Sequence, residues 1–81
     1  METRVAVISI IVTETEKVDA LNELLHKYSK YIIGRMGIPY KEKGISIISI
    51  AIDAPMDEIN SLSGALGRID GINAKVTYAK V

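Results

Sequence analysis

Eighty-one residues are enough for one domain, and a chain of that size hides only about 60% of the surface it exposes when unfolded, so its own core is thin. There is no cysteine, which excludes disulfide staples, thiolate metal sites and a cysteine nucleophile. Ten Lys and Arg balance ten Asp and Glu without forming a basic stripe or arm, so nucleic acid and anionic membrane surfaces are not expected partners.

Hydrophobic residues make up 48% of the chain, yet the aromatics are four Tyr with no Phe and no Trp. The apolar content sits on Ile, Val, Leu and Ala, which favours strands packed against helices. An unstapled chain this small and apolar commonly finds its missing burial in self-association. The opening METRVAV offers no signal peptide, and the longest apolar runs are too short to cross a bilayer; a cytoplasmic location is the expectation. The lack of Gln and Cys is compatible with a thermophilic source.

Arg4 to Val12 (RVAVISIIV) is expected to be the first strand, rich in β-branched residues. In the TETE that follows, Thr13 and Glu16 fit a capping box. The helix after it places Val18, Leu21, Leu24, Leu25 and Tyr28 on one stripe, with Lys27 and Lys30 near its C-terminus. Tyr31–Tyr40 and Ile45–Asp53 are two strands joined by a charged tip, Lys41-Glu42-Lys43-Gly44, the pattern of a β-hairpin. From Ile45 to Ile52 nearly every residue is apolar, so that strand needs cover on both faces. Pro55 is expected to start a second helix, where its missing N–H costs nothing, with Asp57 and Glu58 in the first turn. Met56, Ile59, Leu62, Leu66 and Ile69 form the buried stripe of that helix, and Gly67 or Gly71 can end it in a left-handed cap. Ile72 to Val81 closes the chain as a fourth strand.

The order β-α-β-β-α-β specifies an α+β, ferredoxin-like fold: a single domain over residues 1–81, with a four-stranded antiparallel sheet of order 4-1-3-2 and two helices on one face. Pro39, which cannot donate to a ladder, falls in an edge strand, and Lys75 and Lys80 decorate the other edge. Period-two alternation turns Ile8, Ile10, Ile48, Ile50, Ile52, Ile72 and Val76 toward the helices, with Ile32 and Ile38 beside them. The opposite face then carries Val5, Val7, Ser9, Ile11, Ile33, Arg35, Ile45, Ile47, Ser49 and Ala51. A bulge near Gly34 or Gly37 would shift the parity of the second strand. So many aliphatics left bare exceed what monomers usually tolerate. A homodimer or homotetramer packed through that face is therefore expected, with the apolar and small residues just named, Arg35 apart, as its interface.

Gly34-Arg35-Met36-Gly37 is the most suggestive segment for a ligand. Its glycines allow close approach, and Arg35 supplies a cation for a carboxylate or phosphate. The competing explanation is a bulge, with Arg35 paired to an acid across a subunit interface. His26, the only histidine, lies on the polar side of the first helix with no second His or Cys within one chain to share a metal. Oligomer symmetry could bring copies together, but a solvated histidine is favoured, and neither metal nor cofactor is expected. Glu14 and Glu16, like Asp57 and Glu58, begin helices, where negative charge is favoured structurally. Ser61, Ser63 and Gly64 make a small-residue face with no base nearby to activate a hydroxyl. The central strands carry Ile, Val and Ser where RNA-binding members of this fold carry stacking aromatics. An enzyme is not expected.

VAVISIIV, YIIGRMGIPYKEKGISIIS, the DAP at Asp53–Pro55 and LSGALGR at Leu62–Arg68 together resemble the regulator family of the iron-only hydrogenase system. That family is similar to ACT domains and to the C-terminal domain of the nickel-responsive regulator. The resemblance implies an ACT-like regulatory role in hydrogenase maturation or expression, with a small effector bound near subunit interfaces; Gly34, Arg35 and Gly37 are the candidate contacts. Its alternative is an interaction scaffold that binds a hydrogenase maturation or transcription partner with no small ligand. The nickel regulator's His and Cys ligands have no counterparts here, so nickel sensing is not implied. A ribbon-helix-helix is also missing from the sequence, so an effect on transcription would act through another protein.

Overall fold

Alternating β-branched residues in Arg4–Val12 form β1, whose even-numbered side chains from Ala6 to Val12 are buried. The computed structural model describes residues 2–80. Met1 and Val81, the latter the expected end of the last strand, lie outside the described residues. A 3-10 turn at Thr15–Lys17 leads into α1 (Val18–Lys27), and a second one at Ser29–Tyr31 leads into β2 (Ile32–Tyr40). The tip at Lys41–Lys43 is a third 3-10 turn, closed by Gly44 in left-handed backbone. β3 (Ile45–Ala54), α2 (Met56–Gly67) and β4 (Ile72–Tyr78) complete the chain.

The sheet is antiparallel with order β2-β3-β1-β4, which is 4-1-3-2 read from the other edge. β1 and β3, the two most apolar strands, are central. Ile8 pairs with Ile50 and Ile10 with Ile48, and these residues meet Leu21 and Leu25 of α1 and Ile59, Leu62 and Leu66 of α2 in the core. Val18, Leu24, Tyr28, Ile69 and Val76 pack around it half-buried. No polar or charged side chain is buried among the described residues. No helix among them is long and apolar enough to cross a membrane.

Four local expectations need correction. The Thr13 hydroxyl does not cap a helix: it donates to the Gly71 carbonyl at 3.1 Å, beside the Thr13 N–H at 2.7 Å. This pair pins the end of β1 to the turn before β4. α2 begins one residue late, with Pro55 as its N-cap, and Met56 points out at 38% exposure. Of the two glycines offered as a left-handed cap, only Gly71 has positive φ, and it stands beyond the helix end.

The last correction matters most. β2 bulges between Ile32 and Gly34, so Ile32 pairs with Ile52 while Gly34 pairs with Ala51. The extra residue, Ile33, reverses the alternation that follows. Arg35, opposite Ile50, turns to the helix side, whereas Ile38, opposite Ile47, turns to the open face.

Candidate functional site

Two surfaces stand out. One is the helix-free face of the sheet. Across it Ile38, Ile47 and Ile11 form an unbroken aliphatic row over β2, β3 and β1 that ends at Asn73 of β4. Val5 and Val7 are exposed, Ile11, Ile45, Ile47, Ser49 and Ala51 are half-buried, and Ser9 is exposed between them. The bulge adds Met36, Ile38 and Tyr40 to this face, all more than 40% exposed; period-two reading of the sequence missed them. The β4 flank is polar, with Asn73, Lys75 and Thr77.

The other surface is a cleft between α1 and β2. It exists because two helices cannot cover four strands: β2 is exposed from Ile33 to Tyr40. Arg35 reaches across the cleft and donates to Asn22 Oδ1 on α1. On one side of that bridge is a cavity of about 280 Å³ lined by Asn22, Leu25, His26, Ser29, Ile32 and Arg35. On the other side a cavity of about 220 Å³ is lined by Val18, Arg35, Gly37, Ile38, Pro39, Ser46 and Ile48. A larger hollow of about 680 Å³ lies along Asp19, Asn22, Glu23, His26 and Lys27, all from α1; with no second element converging on it, it is surface relief.

The three residues singled out for ligand contact do not converge. Gly34 belongs to the open face, and Arg35 and Gly37 to the cleft. Among the described residues nothing lies within 4 Å of where a Cβ would stand on Gly34 or Gly37, so both leave free space beside the strand. Asn22, His26 and Ser29 were not grouped with Arg35 in the sequence. Their spacing of four and three residues, a polar stripe beside Leu25, is the signal that finds them. No cluster of three or more His, Cys, Asp or Glu among the described residues is arranged to hold a metal ion.

A four-stranded antiparallel sheet with both helices on one face and the other face bare defines a ferredoxin-like α+β module. The chain belongs to the TM1266-like family, described as "Iron-only hydrogenase system regulator, putative", which it matches over residues 4–76. Its structure is similar to that of the uncharacterized protein TM1266 from Thermotoga maritima, with a TM-score of 0.93 and 38% identity over 98% of this chain and 100% of that one. No curated protein matches it. The resemblance carried by the hairpin block and its flanking motifs therefore extends over nearly the whole chain.

Proposed function

We propose that this protein is a non-enzymatic, ACT-like regulatory module of the iron-only hydrogenase system. It works as a homo-oligomer packed through the open face of its sheet and responds to a small effector held beside Arg35. Family membership supports the regulatory role. The observation that carries the assembly is the row Ile38–Ile47–Ile11, flanked by exposed Val7, Met36 and Tyr40. An apolar face of this extent, unbroken across three strands, is what an obligate interface presents. Free space at Gly37, on the cleft side with Arg35, supports close approach of a ligand, and free space at Gly34, on the open face, supports close approach of a partner backbone.

Light scattering on dilute solutions tests the assembly: the wild type is expected to run as a multiple of the chain mass and Ile47→Glu as a single chain. A wild type that stays monomeric at micromolar concentration would remove this proposal. A thermal-shift screen of small anionic metabolites tests the effector, with saturable stabilisation expected in the wild type and lost in Arg35→Ala. The edge position of β2, paired on one side only among the described residues, favours a second reading, a scaffold that receives a strand from a hydrogenase-system partner. Capture of such a partner, with no metabolite response in the screen, would favour it.

A further inference from the structure

We infer that the cleft between α1 and β2 is a binding site for a short aliphatic carboxylate, with Arg35 as its anion anchor. This rests on the effector reading above and gives it a place and a ligand class. The cavity is floored by Leu25, which is buried, and Ile32, which is half-buried, and it is rimmed by Asn22, His26, Ser29 and Arg35. Arg35 has only donors, so its bond to Asn22 uses the amide oxygen and leaves the amide NH₂ of Asn22 free to donate. The guanidinium keeps its other N–H groups, and Ser29 and the imidazole add further donors. No carboxylate among the described residues lines this cavity. A rim of donors around one fixed cation selects an anion, and the planar fork of Arg suits two carboxylate oxygens.

The carbonyl end of α1, which would repel an anion, is partly closed by the Tyr28 N–H donating to the Leu25 carbonyl at 3.0 Å. The apolar floor separates ligand classes. Inorganic phosphate gains nothing from Leu25 and Ile32, whereas a branched alkyl chain laid on them leaves water. With no acid in the lining, an ammonium group meets only uncharged hydroxyl and carbonyl acceptors, which sets a plain carboxylate above an amino acid. A volume of about 280 Å³ lies at the lower end of small-molecule pockets and suits a ligand of few heavy atoms.

The test is a titration of the ¹⁵N-labelled full chain with isovalerate, followed by two-dimensional NMR, with isobutylamine and inorganic phosphate as controls. Saturable shifts are expected at Asn22, Leu25, His26, Ser29, Ile32 and Arg35. Arg35→Met should raise the Kd by about tenfold or more, the loss of a charge-assisted contact. Asn22→Asp, which places a carboxylate in the rim and pairs Arg35, should weaken binding similarly while the remaining spectrum keeps its folded dispersion. Equal binding of phosphate or of the amine overturns the carboxylate assignment. Absence of saturable shifts overturns the site. A metabolite that stabilises the chain through Arg35 but shifts Val18, Gly37, Ser46 and Ile48, on the other side of the Arg35–Asn22 bridge, overturns this cavity alone and leaves the effector reading standing. A screen with no stabilising metabolite, or shifts remote from Arg35, removes both.

Discussion

Gly44 and Gly71 both adopt left-handed backbone, with φ of 65° and 81°, but in different surroundings. Gly44 closes the hairpin tip with nothing within 4 Å of where a Cβ would stand. At Gly71 that atom would meet the Glu14 side chain, with Cβ and Cγ both at 2.8 Å. Gly44→Ala should therefore cost only the backbone penalty, about 1–2 kcal/mol. Gly71→Ala adds an overpacking cost and should lose about 2–4 kcal/mol in all. Urea unfolding with unchanged m-values measures both, and equal losses would show that the Glu14 contact does not matter. The same corner explains a misread motif. Thr13 and Glu16 have the spacing of a capping box, but the Thr13 hydroxyl bonds a carbonyl 58 residues away, and local spacing carries no information about that partner.

Among whole elements, α1 was legible because its period is regular. Leu21 and Leu25 are 0% and 2% exposed, whereas Leu24, on the edge of the stripe, is half-buried. Leu21→Ala and Leu25→Ala are expected to cost about 2–5 kcal/mol each, and Leu24→Ala less than half as much, measured by the same unfolding experiment. A Leu24 loss equal to the other two would mean that the helix is rotated from this placement. β2 was legible as an edge strand from Pro39, but its faces were not. Either Gly34 or Gly37 could have accompanied a bulge, and a bulge at Ile33 exchanges the faces of Arg35 and Ile38. That one extra residue moves the cation from the bare face into the cleft with Asn22. Since an edge strand has a partner on one side only, the period-two rule had no second neighbour to correct it.

At the scale of the molecule, element order and the apolar character of β1 and β3 were enough to give the topology, because only central strands need cover on both faces. That need for cover leaves a surplus. β1 and β3 satisfy their helix side within the chain, through Ile8, Ile10, Ile48, Ile50 and Ile52, while Ile11, Ile45 and Ile47 on the other side have no covering layer among the described residues. If copies of the chain supply that layer, folding and association are linked, and stability must depend on concentration. The midpoint of thermal unfolding should then rise steadily as wild-type protein is taken from micromolar toward millimolar. Ile47→Glu, in the middle of the aliphatic row, should flatten that dependence and lower the midpoint. Lys75→Glu, on the polar β4 flank, reverses a charge without touching the row and should leave the dependence in place. Differential scanning at several concentrations separates these outcomes. A midpoint that does not move in the wild type rules out association through this face, and one flattened by Lys75→Glu but not by Ile47→Glu moves the contact to the β4 edge.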